Sequence, residues 1–222
     1  RGVQPAQNTD IVGIVSAVRG RFISFEGADG AGKSTQARLL AERLRDAGHT
    51  VTLTREPGGS PGAEEIRKLL VEGDPARWSA ETEILLFNAA RRDHLERRIA
   101  PALAQGHIVI SDRFADSTRV YQGVARAELR DLVDRLHALM IGTEPDLTLV
   151  VDLDSPTGLS RGLARQSGED RFEELGASFQ ARLRAGFRAL AEEFPERVKL
   201  VDGAGRPEDV AARIWPHVAA LL

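Results

Sequence analysis

Gly27-Ala-Asp-Gly-Ala-Gly32-Lys33-Ser34 follows the apolar run Arg21-Phe-Ile-Ser-Phe25 and precedes a helical pattern over 34–47, with Leu39, Leu40 and Leu44 apolar and Gly48 beyond. The order strand, glycine-rich turn, helix decides the fold. The spacing G-x-x-x-x-G-K-[ST] lets the backbone wrap so that its N–H groups converge on phosphate oxygens, and the helix N-terminus adds partial positive charge. In such a loop Lys33 is a compact point charge for the outer phosphates, and Ser34 offers a hydroxyl to Mg²⁺. The bland reading is a glycine turn followed by a solvated lysine. Against it stands the scarcity of lysine: Lys33 is one of three, beside 27 arginines.

Outward from this loop, short β-rich runs alternate with longer helical patterns, which predicts βαβ units and a parallel sheet. Strands are expected over 21–25, 51–54, 107–111, 147–153 and 199–201. Helices are expected over 34–47, 63–71, 80–105, 127–141, 155–166, 172–194 and 208–222. The breaker-rich Arg55-Glu-Pro-Gly-Gly-Ser-Pro-Gly62 separates the second strand from the next helix. The expected architecture is an α/β P-loop NTPase fold, a five-stranded parallel sheet flanked by helices, with a helical lid at about 158–172. Residues 1–19 are set apart as an N-terminal extension of added or processed sequence, and 20–222 are read as a single domain.

Composition narrows the class. The 222 residues carry a net charge of −3, so no overall basic field draws the chain to nucleic acid or to an anionic membrane. The apolar run over 11–18 is too short to span a bilayer. With no cysteine there is no disulfide, thiolate metal site or cysteine nucleophile, and the cytoplasm is the default compartment. The five histidines show no ligand spacing, which leaves Mg²⁺ carried by a substrate as the expected metal. A guanine-reading Asn-Lys-x-Asp motif is missing, and no second large domain is present for hydrolysis to move. A small kinase becomes the leading class.

Five blocks then fall in one order: Phe25-Glu-Gly-Ala-Asp29-Gly-Ala-Gly-Lys-Ser-Thr-Gln36, Thr54-Arg-Glu-Pro-Gly-Gly59, Leu86-Phe-Asn-Ala-Ala-Arg91, Asp112-Arg-Phe-Ala-Asp-Ser-Thr-Arg-Val-Tyr-Gln122 and Glu169-Asp-Arg-Phe-Glu173. Over about 20–222 the chain resembles the bacterial thymidylate kinases, P-loop nucleoside monophosphate kinases. The resemblance implies transfer of the γ-phosphoryl group of Mg·ATP to dTMP, giving dTDP and ADP on the way to dTTP. It also implies a homodimer assembled through helices of the 80–140 region, where Leu129, Leu132, Val133, Leu136 and Met140 share a face that serves either a dimer seam or the core.

The resemblance assigns roles residue by residue. Gly27, Ala28, Asp29, Gly30, Ala31, Gly32, Lys33, Ser34 and Thr35 hold ATP, with Arg161 stacking on its adenine. Arg113 and Arg55 hold the acceptor phosphate, and Asp112 joins Ser34 at Mg²⁺, partly through water. Phe87 stacks on thymine, Arg91 reads its O4, and Thr118 presents a polar group to the pyrimidine edge. Tyr121 packs against the sugar and disfavours a 2′-hydroxyl, Asp29 accepts from the 3′-hydroxyl, and Ser117 and Gln122 are lesser candidates for dTMP. No P-loop variable position is basic, so the lid supplies the catalytic arginine, Arg165 before Arg161 or Arg171. Lys33, Arg113 and Arg165 would then carry the charge stabilisation.

Some of these placements follow from the residues alone. Arg113 and Asp112 end a buried strand at its carboxyl edge, where parallel sheets place ligands. Phe87 and Arg91 are four apart on one helical face, although Ile84, Phe87 and Leu95 also fit a core stripe. The rival readings are a monophosphate kinase of another base preference and a nucleotide-binding regulatory module without turnover. The acceptor arginines argue against the second.

Overall fold

The computed structural model describes residues 19–74, 77–125, 128–154 and 176–222. The extension up to residue 18 and the lid at 158–172, with Arg161, Arg165 and Arg171, lie outside them, as does the helix read over 155–166. The elements are β1 (Phe22–Glu26), α1 (Lys33–Asp46), β2 (Val51–Arg55), α2 (Pro61–Val71), α3 (Ala80–His94), α4 (Ala100–Ala104), β3 (Ile108–Asp112), α5 (Ala115–Ala125), α6 (Leu129–Met140), β4 (Leu147–Asp152), α7 (Gly176–Glu193), β5 (Val198–Asp202) and α8 (Pro207–Ala219).

The five strands form one all-parallel sheet in the order β2-β3-β1-β4-β5, the α/β architecture read from the sequence. Strand alternation divides its two faces. Ile23, Phe25, Ile110, Leu149 and Val151 pack with Leu40 and Leu44 of α1 and Ile214 and Val218 of α8. On the opposite face Phe22 and Val109 meet Leu95, Ile99 and Phe114, while Val150 meets Val120 and the α7 residues Leu183, Phe187 and Leu190. β1 and β4 are therefore covered on both sides and read as near-continuous apolar runs. β1 lies between β3 and β4, where the winding direction changes, so the loops at its carboxyl edge open on the crevice that doubly wound folds use for ligands.

The structure departs from the sequence reading in two places and divides the open stripe on α6 in a third. The single helix read over 80–105 is interrupted by a π turn, Leu95–Ile99, before α4. Pro101 explains the break, because it donates no backbone hydrogen bond and its ring crowds the carbonyl four residues earlier. Residues 115–125, to which no element was given, form α5. On α6, Leu129 and Val133 are buried, whereas Leu132 and Met140 of the expected stripe stay partly exposed.

Candidate active site

The phosphate loop takes its shape from left-handed backbone at its glycines. Gly27 sits at φ 134°, and a Cβ there would lie 2.5 Å from the carbonyl oxygen of Val151. Gly32, at φ 98°, caps α1 in the left-handed region. Lys33 is buried and its Nζ donates to the Ala28 carbonyl at 2.8 Å, so the lysine lies across its own loop.

Beside it stands Arg113, the one residue other than glycine at positive φ among those described, at 71°. This conformation turns the chain sharply off the end of β3 and sends the guanidinium back over the loop. There Nη1 donates to the Gly27 carbonyl at 3.3 Å and to Ser117 Oγ at 3.0 Å. Nη2 donates to Asp29 Oδ1 and, at 3.1 Å, to the Tyr121 hydroxyl. Tyr121 in turn donates to Asp29 Oδ2 at 2.9 Å. Burial pushes the Asp29 carboxyl up, but Arg113 and Lys33 outweigh it and hold the group below the usual carboxylate range. Burial also raises the Tyr121 phenol well above its ordinary value, so it remains a neutral donor.

A cleft opens from this cluster and is lined on its far side by Phe87, Arg91, Thr118 and Gln122. Phe87 and Arg91 both face it, as one helical face requires. Arg91 is almost wholly buried; its Nη2 donates to Thr118 Oγ1 at 3.0 Å and to the Phe114 carbonyl at 3.2 Å. Gln122 Nε2 donates to Glu83 at 3.3 Å. The far side of the cleft thus offers the Phe87 ring, the buried Arg91 guanidinium, the Thr118 hydroxyl and the Gln122 amide, a donor-rich wall suited to a planar ligand whose edge carries acceptor oxygens.

Arg55, Ser34 and Asp112 border a second, open depression beside α1. Arg55 there donates to Glu64 at 3.1 Å, so the structure does not bring it to the cleft beside Arg113. Ser34 and Asp112 do face one space. A hydroxyl and a carboxylate are hard oxygen donors and fit a Mg²⁺ whose remaining ligands come from substrate phosphates and water. Among the described residues no three His, Asp or Glu side chains gather into a metal cage.

Sequence reasoning missed several groups. Glu26, the last residue of β1, is fully buried; it accepts from the Phe114 backbone N–H at 2.8 Å and from Ser117 Oγ at 2.5 Å. Burial, with Asp116 nearby, pushes its carboxyl up to about 7. A carboxylate closing an otherwise apolar strand was the available signal. Gln180 of α7 hydrogen-bonds Asp29, and nothing in its local sequence points there. Glu56, which lines the cleft beside Arg91, and His94 are buried, and His94 was legible as the next member of the face that carries residues 87 and 91. The Glu56–Pro57 peptide is cis.

Known proteins match this arrangement along most of its length. The thymidylate kinase family model matches residues 25–214. A thymidylate kinase of Ruegeria pomeroyi is 68% identical over 203 residues, covering 91% of this chain and 96% of the relative. One of Caulobacter vibrioides is 53% identical over 205 residues, covering 92% and 98%. The crystal structure of thymidylate kinase from Ehrlichia chaffeensis superposes with a TM-score of 0.72 at 35% identity, covering 90% of this chain and 99% of that one. With its phosphate loop, its arginine-walled cleft and these relatives in agreement, the chain belongs to the thymidylate kinase family.

Proposed function

We propose that this chain performs the reaction its family is named for, transfer of the γ-phosphoryl group of ATP to the 5′-phosphate of dTMP, giving dTDP and ADP. One observation carries the reading: the cleft lined by Phe87 and Arg91 meets the phosphate loop at Arg113, so a nucleotide base and a phosphate acceptor are served by one continuous wall. An acceptor phosphate oxygen is already ionised and needs no strong general base. Catalysis then consists of holding two polyanions in line and neutralising their charge.

Lys33 and the loop amides hold the donor phosphates, over the loop residues Gly27 to Thr35. Arg113, already aimed at the loop by its backbone, holds the acceptor phosphate. In transfer an acceptor oxygen forms the new bond to the γ-phosphorus while the bond to the oxygen bridging β and γ breaks and its electrons stay with ADP. Mg²⁺, held by the phosphates with Ser34 and Asp112, would neutralise charge on them. Phe87 stacks on thymine, Arg91 donates to its O4, and Thr118 and Gln122 border the same edge. Tyr121 packs against the deoxyribose, and Asp29 takes the 3′-hydroxyl when it gives up part of its contact with Arg113. Arg55, paired with Glu64 on the flanking depression, reaches the acceptor phosphate only by exchanging that partner, which ranks it below Arg113. Arg165 is assigned the catalytic finger from the sequence, with Arg161 at adenine.

Two further assignments accompany the reaction. Leu85 on α3 and Leu132, Leu139 and Met140 on α6 are exposed apolar side chains on two helices packed together, and they support a homodimer through this face. The need for ATP supports a cytoplasmic workplace, and among the described residues no helix is long and apolar enough to cross a membrane.

A coupled ADP-release assay with Mg·ATP against dTMP, dUMP, dCMP and dGMP tests the reading. Turnover is expected on dTMP above all others, with Lys33→Ala lowering it at least about 100-fold. ATP binding without turnover on any acceptor would overturn it in favour of a regulatory module.

A further inference from the structure

In the wall of the cleft, Arg91 is anchored by a chain of buried groups that the transfer reaction does not use, the first of which, Glu56, itself lines the cleft. Its Nε donates to Glu56 Oε2 at 2.7 Å, with side-chain exposures of 3% and 4%. The other carboxylate oxygen of Glu56 lies 3.0 Å from His94 Nδ1, and His94 Nε2 lies 2.7 Å from Thr54 Oγ1. A carboxylate only accepts, so His94 donates from Nδ1. The 55–62 loop closes directly on this pair: a Cβ on Gly59 would lie 2.4 Å from His94 Nε2 and 2.5 Å from Thr54 Oγ1.

The anchoring consumes one edge of the guanidinium. Nε is bound to Glu56, and Nη2 to Thr118 and the Phe114 carbonyl. Nη1 is left as the donor for whatever occupies the cleft that Arg91 lines. A guanidinium cannot accept, so a fixed Nη1 rewards an oxygen on the ligand and opposes an amino group; a guanidinium free to swing would lose that discrimination.

We infer that Glu56, backed by His94, is a positioning residue that locks Arg91 as the base reader and thereby sets the preference for pyrimidines carrying oxygen rather than an amino group at ring position 4. The inference rests on the assignment of Arg91 to the base edge. The buried pair is weak evidence for stability, because desolvation offsets its attraction. Its geometric effect on Nη1 is direct.

The test is kcat and KM of the full chain with dTMP and with dCMP, for wild type, Glu56→Ala, Glu56→Gln, His94→Leu and Arg91→Ala. In Glu56→Ala the dTMP to dCMP ratio of kcat/KM is expected to fall at least about tenfold, with KM for dTMP rising more than kcat falls. Glu56→Gln keeps an amide oxygen for Nε and should restore most of the ratio. His94→Leu, which removes only the support behind Glu56, should lower it by about threefold, and it carries the test if Glu56→Ala does not fold. A ratio unchanged in both, or equal losses on the two acceptors, overturns the inference. An unchanged ratio in Arg91→Ala would instead overturn the assignment of Arg91 itself, which separates the two failures.

Discussion

At residue 27 the phosphate loop tolerates nothing larger than glycine, because the left-handed backbone and the Val151 carbonyl 2.5 Å from a Cβ act together. Gly27→Ala is expected to cost about 2 to 3 kcal/mol, read as a lowered denaturant midpoint, since a backbone carbonyl cannot rotate away as a side chain would. Glu26 makes a prediction of opposite character. Its carboxyl is raised from 4.5 to about 7, so between those values the folded chain holds a proton that the unfolded chain has released. Stability therefore falls as pH rises through that window, by about 3 kcal/mol in full. Denaturation of wild type and Glu26→Gln at pH 5 and pH 8 checks this: the wild type should lose more than the variant between the two values. A variant that tracks the wild type at both would show that Glu26 is not the titrating group.

Among the elements, α5 depends most on its surroundings. Residues 115–125 include Asp, Ser, Thr, Val and Gly, all weak helix formers, so local preference does not make this helix. Buried charge and packing do. Arg197 grips Asp116 with two bonds of 2.6 and 2.9 Å, and Arg119 joins Asp116 at 2.7 Å while holding Glu144 and Asp134. Burial alone would raise the Asp116 carboxyl, but Arg197 and then Arg119 hold it below the usual range. Arg197→Leu should destabilise the protein by about 3 kcal/mol, because it strips a nearly inaccessible carboxylate of its principal partner. Urea unfolding at neutral pH measures it, and a loss below 1 kcal/mol would show that Arg119 suffices. The same helix carries Ser117, Thr118 and Tyr121, so this network is also what fixes one wall of the cleft.

For the whole molecule, the apolar face of α3 and α6 makes the proposed self-association testable. Leu139, 78% exposed, and Leu85, 58% exposed, contribute no core burial that a charge would disturb. Leu85→Glu with Leu139→Asp should convert a dimer to a monomer by sedimentation while leaving the denaturant midpoint of the monomer within about 0.5 kcal/mol. A dimer surviving both substitutions would place the seam elsewhere.

The sequence by itself determined the phosphate loop, the α/β class and the family. Those signals are local, since a strand, a glycine turn and a helix N-terminus are specified within a dozen neighbouring residues, and the matching blocks run in order along the chain. Phe87 and Arg91 were legible as one face for the same reason, and α3 keeps them there. Only the tertiary structure decided that Arg113 closes on Asp29 and Tyr121, that Glu56 joins Arg91 to His94, and that Arg55 turns to Glu64. Arg113 meets Asp29 across 84 residues, Tyr121 meets Asp29 across 92, and Arg91 meets Glu56 across 35. No periodicity within one element encodes such meetings; they arise when parallel strands bring distant chain ends to one sheet edge, where buried charges must find partners or lose far more to desolvation than packing returns.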